Sequence, residues 1–303
     1  MPAASASTES PAVKAGDVLV PAEASAGEAM QIAIDACLDH LAPNEAGWLA
    51  TEHPDHLHQT RVSTRRLRAL LSLSRQLIRD DPVILDIKSR LRLLLVPLGP
   101  ARDIDVALQR ARDEEWSGED IERLERARTR TYAAGRRSIT SPAWHQVWSD
   151  LGRWRSSPTW LDHVADLRDG PARRVSDAAL DRRYRRIMLA GPVLLSMSDH
   201  ALHRVRIEAK KLRYGCQFFD GLYPGAGSVS TEDGGSISVP LHFAETVAVV
   251  QDAFGLFNDY AEARHLRAEL GLVSGEADEP PTRLDCVTAW LQVADLEPFW
   301  RVS

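Results

Sequence analysis

Cysteine, lysine and long apolar runs are all scarce in this 303-residue sequence, and each shortage removes a class of protein. The three cysteines, Cys37, Cys216 and Cys286, stand far apart. They form neither a disulfide scaffold nor a CxxC zinc pair, so a reducing cytoplasm is the expected setting. No run reaches the roughly 18–20 apolar residues that a membrane-spanning helix needs. The N-terminal residues lack a basic patch followed by an apolar stretch, so no secretory leader is read there. Also missing are the GxxxxGK[ST] loop, the HExxH helix and the GxSxG turn of common phosphoryl-transfer and hydrolytic sites. A protein that binds its ligand without turning it over is expected, with no cofactor.

Lysine is nearly absent. Lys14, Lys88, Lys210 and Lys211 are the exceptions among 37 basic residues. Arginine presents a planar fork that grips phosphate or carboxylate oxygens in pairs. An Arg-rich codon usage would give the same composition, so arrangement has to decide.

The net charge of -6 conceals a segregation. Residues 1–57 carry one Lys against nine acids, and residues 221–303 carry four basic residues against thirteen acids. Between them, residues 58–220 hold 32 basic and 21 acidic residues, a net charge of +11. Partners respond to that local field and not to the overall pI.

Residues 1–27, rich in Ala, Ser, Pro and Glu, read as a disordered lead-in. Residues 28–303 read as one helical domain, with halves of about 28–155 and 177–300. Apolar residues at three- and four-residue spacing predict a first helix from 29 that ends near Pro43. Further helices are expected at about 55–79, 83–96, 101–116 and 119–139, and one starting at Ser141-Pro142. The second half adds about 177–189, 198–222, 241–253, 259–270 and 283–295. Residues 225–240, rich in Gly and Ser, read as a mobile loop. No alternating strand series is present, so the chain is all-α.

The sequence also repeats itself. His-Gln-Thr-Arg-Val-Ser-Thr-Arg-Arg-Leu-Arg at 58–68 and His-Arg-Val-Arg-Ile-Glu-Ala-Lys-Lys-Leu-Arg at 203–213 share one pattern, H-x-x-R-x-x-x-[RK]-[RK]-L-R. Downstream of each lies a second echo, Leu98-Gly99-x-x-Arg102-Asp103 and Phe254-Gly255-x-x-Asn258-Asp259. Two copies of one helical unit about a pseudo-twofold axis are expected.

At about 100° per residue, His58, Arg61, Arg65 and Arg68 fall within an arc of about 80°. Leu67, Leu70, Leu71, Leu77 and Ile78 occupy a separate arc, and Arg75 and Arg79 prolong the basic stripe. His203, Arg206, Lys210 and Arg213 form the same stripe in the second copy. Like charges at i,i+3 and i,i+4 repel by a few tenths of a kcal/mol per pair. An anion must offset this twice. It is either an external ligand or an internal acid, with Asp103, Asp105, Asp252 and Asp259 as candidates.

These segments, together with Val106 after Asp105 and Tyr214 after Arg213, resemble the CHAD family, the α-helical domain with characteristic histidines. The resemblance spans about residues 28–300 in consistent order. It implies two four-helix bundles related by a pseudo-twofold axis around a basic central channel. It also implies binding of inorganic polyphosphate and, in many bacterial relatives, attachment to polyphosphate granules. Carried over residue by residue, the channel is lined by His58, Arg61, Arg65, Arg68, His203, Arg206, Lys210 and Arg213. Lys88, Arg92 and Arg102 form a second tier, and Arg130 and Arg137 a weaker third. Two departures fall in the second half: Thr246-Val247-Ala248-Val249-Val250 stands where relatives carry Lys or Arg, and Asn258 stands opposite Arg102. Weaker anion binding by that half follows. Many relatives also carry an N-terminal triphosphate-tunnel domain, but no ExExK strand motif occurs, so a stand-alone module is expected.

Two rival functions remain open on the residues themselves. Nonspecific nucleic-acid binding would use the same stripes, although single-strand binders interleave aromatics with the basic groove. The stripes contain none, and Trp144, Trp148, Trp154 and Trp160 read as core. A metal-dependent polyphosphate-processing enzyme would need ligands, for which Asp103 and Asp105 are a sparse set. His53, His56 and His58 straddle Pro54 without the spacing of a zinc site. The stripe histidines have two open roles: charge added below about pH 6.5, or neutral hydrogen-bonding braces.

Overall fold

The computed structural model describes residues 11–231, 233–274 and 280–301. Its first helix, α1 (Ala26–Thr51), begins at a capping box. The Ser25 side chain accepts from the Glu28 amide, and the Glu28 carboxylate accepts from the Ser25 amide. Contrary to expectation the helix runs through Pro43, because the turn beyond it is anchored by burial. Asn44 is fully buried and Trp48 nearly so. Asn44 also grips the lead-in: its amide donates to the Val13 carbonyl at 2.9 Å and its Oδ1 accepts from the Val13 amide at 3.0 Å.

The lead-in is therefore not loose from residue 11 onward. Val18 and Val20 are buried in the main core, and the carbonyl of Val20 packs against Gly221. The short apolar run in an otherwise polar segment was its one sign of packing. The N-terminal ten residues of the expected disordered segment lie outside the described residues.

Helix α2 (Pro54–Leu73) is capped by His53, stops at Ser74, and is followed by the single turn α3 (Arg75–Ile78). Then come α4 (Pro82–Leu94), α5 (Leu98–Asp113), α6 (Gly118–Ile139) and α7 (Pro142–Arg155). Each of α2, α4 and α7 has proline in its first turn, where no intrahelical partner is lost. Residues 156–171 hold only a 3-10 turn and the short α8 (Ala165–Arg168).

The second half contains α9 (Ala172–Met188), α10 (Asp199–Phe219), α11 (Val239–Leu270) and α12 (Arg283–Ala294). Two expectations change here. The Gly- and Ser-rich stretch holds a small antiparallel hairpin, β1 (Ser228–Ser230) paired with β2 (Ser236–Ser238). And residues 239–270 form one continuous helix where a break had been expected around Gly255. Helices dominate throughout, so the chain is all-α, with this hairpin the one sheet among the described residues.

One large core draws on both halves, including Trp48, Leu70, Trp144, Leu180, Phe218 and Phe254. The four tryptophans expected in the core pair edge to face, Trp144 with Trp148 and Trp154 with Trp160. A smaller cluster around Leu108, Leu124 and Leu272 joins α5, α6 and the end of α11. Helix α1 lies along α2, α10 lies along α11 and α9, and α2 packs directly against α10. That last contact brings the two repeated segments together. No described helix is long and apolar enough to cross a membrane.

Candidate functional site

On α2, Leu57, Leu67, Leu70 and Leu71 are buried, which leaves the His58, Arg61, Arg65 and Arg68 flank turned away from the core. On α10, Leu202, Val205, Ala209, Leu212 and Cys216 do the same for His203, Arg206, Lys210 and Arg213. All these side chains except exposed Arg68 are half-buried.

The stripes meet at Lys210. Burial pushes its ammonium down to about 7, helped by the neighbouring guanidinium groups of Arg206, Arg65 and Arg213 and opposed by Asp259. Arg65 comes from the first copy of the pattern and the others from the second. Arg61 is likewise depressed, by burial and by Arg65 and Arg102, with Asp103 and Glu262 opposing. His58 is lowered from its ordinary value by burial and by Arg102, Arg65 and Arg61, with Asp55 opposing. Its imidazole is therefore neutral at pH 7. Arg65 Nε and His203 Nδ1 are shielded from solvent and have no hydrogen-bond partner in the protein.

The two downstream echoes arrive at the same place. Gly99 of α5 lies under Arg61, where a β-carbon would stand 3.6 Å from Nη1. Gly255 of α11 lies against Arg206, where it would stand 2.8 Å from Nη2 and 3.0 Å from Nε. Gly255, in the gap expected between two helices, is thus a notch for a guanidinium. Four residues on, Asp103 faces Arg61 electrostatically and Asp259 pairs with Arg206 at 3.6 Å.

Acids close this end. Burial pushes the Asp103 carboxyl up to about 6, with Glu262 and Asp259 adding to the effect and Arg61 and Arg102 opposing it. Arg206 Nε also donates to the Gln251 carbonyl at 3.4 Å, and Arg213 Nη1 donates to Gln251 Oε1 at 3.1 Å. Of the four acids suggested as internal counter-ions, Asp259 takes that role against Arg206, while Asp103 acts on Arg61 without pairing with it. Asp105 turns instead to Arg128 at 3.1 Å and to the Tyr132 hydroxyl at 2.8 Å. Asp252 is exposed and accepts from Gln251 Nε2.

The second tier joins from the side. Exposed Arg92 of α4 lies close enough to Arg68 to lower its pKa. Lys88, on the same helix, is lowered by burial and by Arg75 and Lys211. Arg102 sits beside His58 and Arg61. Arg130 is exposed and lines a groove with Asp103, Asn258 and Glu262, while Arg137 is exposed elsewhere on α6. Among the described residues, no carboxylate comes within 4.0 Å of Arg61, Arg65, Arg68, Lys88, Arg92, Arg102, Lys210 or Arg213. The other basic positions of the two patterns do structural work. Arg66 is buried with its guanidinium 5.1 Å from the Phe218 ring centre. Lys211 pairs with Glu208 at 2.8 Å, and Glu208, held at about 2, also binds Arg183 and Arg186.

The three neighbouring histidines serve separate ends. His53 caps α2, His56 is buried against Gly47, and His58 joins the stripe. No cluster of three metal-ligating side chains occurs among the described residues. Sequence reasoning missed Glu262, Gln251 and Arg182. Glu262 and Gln251 share a helix with Asp259 that only becomes visible once α11 is read through Gly255.

The CHAD domain family model matches residues 32–268. The crystal structure of the CHAD domain from the plant Ricinus communis is similar at a TM-score of 0.71 and 26% identity, covering 86% of this chain and 84% of that one. PptA from Streptomyces chartreusis shares the fold at a TM-score of 0.57 and 16% identity, covering 89% and 96%. No curated protein matches the sequence.

Proposed function

This chain belongs to the CHAD domain family, and from that premise we propose that it binds inorganic polyphosphate between the α2 and α10 stripes. The two halves then act as pseudo-twofold partners around a basic channel. The observation that carries the reading is the concentration of eight cations with no described carboxylate within 4.0 Å, contributed by α2, α4, α5 and α10. Elsewhere arginines are commonly paired, as Arg90, Arg168 and Arg183 are. Packing like charges this closely is unfavourable; burial depresses Lys210 and Arg61 first, and the neighbouring cations add to it. A polyanion relieves it at every position along the stripe.

Polyphosphate suits the arrangement because it offers charge without bases to stack. Arg forks meet successive phosphate oxygens by charge-assisted hydrogen bonds, and an unpartnered buried donor such as Arg65 Nε gains an acceptor. Leaving such a donor unmet costs about 1–3 kcal/mol. His58 acts as a neutral brace near pH 7, and binding proceeds without turnover. A cytoplasmic setting and attachment to polyphosphate granules belong to the same proposal.

The test is competition. Labelled long-chain polyphosphate bound to the protein is challenged with unlabelled polyphosphate and with single-stranded oligonucleotide of equal total charge. Displacement by polyphosphate at far lower concentration supports the proposal. Equal displacement by both makes the site a general polyanion binder, and preferential displacement by the oligonucleotide overturns the assignment.

A further inference from the structure

A second group of cations, Arg75, Lys88 and Arg182, lies at the far end of the stripes, outside both copies of the repeated pattern, and Lys211 of the second copy borders it. Arg75 of α3 is its hub. Arg75 acts on Lys88 of α4 and on Arg182 of α9, lowering both, and Lys211 of α10 also acts on Lys88. Four elements thus converge here. The placement is fixed by a buried neighbour: Arg183 Nη2 donates to the Ser72 carbonyl at 2.8 Å and to its hydroxyl at 3.0 Å, pinning α9 to the end of α2. Its other amino group, Nη1, donates to Glu208 at 2.8 Å. Arg182, next in the chain, is thereby held half-buried beside Arg75.

The charges in this corner are already sorted. Glu208 is the nearby acid, and it is shared by Arg183, Arg186 and Lys211. No described carboxylate lies within 4.0 Å of Arg75, Lys88 or Arg182. The opposite end of the stripes, around Arg61 and Arg206, is closed by Asp103, Asp259 and Glu262. The acids of α5 and α11 thus gather at the Arg61 and Arg206 end of the stripes. Arg61 and Arg75 are separated by fourteen residues of nearly continuous helix, about 21 Å at 1.5 Å per residue.

We propose that Arg75 and Arg182 extend the anion site beyond the repeated pattern, so that a long polyphosphate chain leaves the stripes over α3 and α9 and not past the acids of α5 and α11. This rests on the polyphosphate reading and adds a polarity and a chain-length requirement to it. A short chain fills the central stripe alone. A long one also reaches the α3–α9 corner.

The experiment measures binding of tripolyphosphate and of long-chain polyphosphate at several salt concentrations. It compares the wild type, the R75A/R182A variant and the R75K/R182K variant, with folding checked by circular dichroism. Each cation lost from contact with a flexible strand should reduce the slope of log K against log salt by about 0.7. The alanine variant should lose about 1.4 in slope for long chains, with affinity down at least tenfold at low salt. Tripolyphosphate binding should stay unchanged, and the lysine variant should recover the slope. An unchanged long-chain slope in a folded alanine variant overturns the extension while leaving the central site intact. Equal losses for both ligands also overturn it, because a merely structural or global field effect would act on both. Failure of the wild type to bind either ligand overturns the polyphosphate reading itself.

Discussion

The two stripes share a pattern but not a state. In the first half, Arg61, Arg65 and Arg68 have no described carboxylate within 4.0 Å, and Arg102, Arg92 and Lys88 reinforce them from neighbouring helices. In the second half, Arg206 is partly committed to Asp259 and the Gln251 carbonyl, and Arg213 to the Gln251 side chain. Its supporting helix presents Thr246 to Val250 and Asn258, which add no charge. Asn258 instead donates to Glu262. A repeated sequence pattern therefore marks equivalent positions without making them equally available to a ligand.

The largest effect should separate the halves directly. Arg61→Ala with Arg65→Ala removes two uncommitted cations, each able to form charge-assisted bonds worth about 1.5–3 kcal/mol. Polyphosphate affinity should fall at least a hundredfold by calorimetry. Arg206→Ala with Arg213→Ala should cost about tenfold, since those groups must first leave internal partners. Equal losses would erase the asymmetry.

Next in size is release of the restraint. Asp259→Asn frees Arg206 and removes an acid from the site, so affinity should rise severalfold at low salt and the gain should shrink at high salt. An unchanged affinity would show that the 3.6 Å pair does not compete with ligand.

The glycines offer a finer contrast. Gly255→Ala forces the Arg206 guanidinium aside, and a flexible side-chain end can yield, so affinity should drop a few-fold with little change in melting temperature. Gly99→Ala meets Arg61 at ordinary contact distance and should leave affinity unchanged.

Smallest is a proton. Lys210, with its pKa at about 7, is mostly neutral at pH 8, and Asp103, at about 6, is ionised there. Lowering the pH to 6 charges the lysine and begins to neutralise the acid, so both changes strengthen anion binding. An anion beside Lys210 raises its pKa, and binding at pH 7.5 should take up protons, read from the dependence of the calorimetric heat on buffer ionisation enthalpy. Lys210→Arg, which cannot deprotonate in this range, should remove that uptake.

Much of this was legible before any coordinates, and for definable reasons. The stripes, their apolar counter-faces and the helix start at Ser141-Pro142 are local signals. Pro43 misled because its usual helix-ending tendency was outweighed by the burial of Asn44 and Trp48, and the gap expected between 253 and 259 is one continuous helix. The fate of Asp105 could not be read from its place beside Arg102, since its partners Arg128 and Tyr132 lie on the next helix. Arg182 was hidden for a similar reason: its position depends on the link from Arg183 to Ser72, 111 residues away in the chain.

The most direct test is calorimetric titration of long-chain polyphosphate into the wild-type protein and into a variant with Arg61, Arg65, Arg206 and Lys210 changed to Ala, each at two salt concentrations and with helicity verified. Salt-sensitive binding by the wild type that disappears in the folded variant is the predicted result. Binding that survives in the variant, or a wild type that takes up no polyphosphate, would contradict the assignment of the α2 and α10 stripes as the anion site.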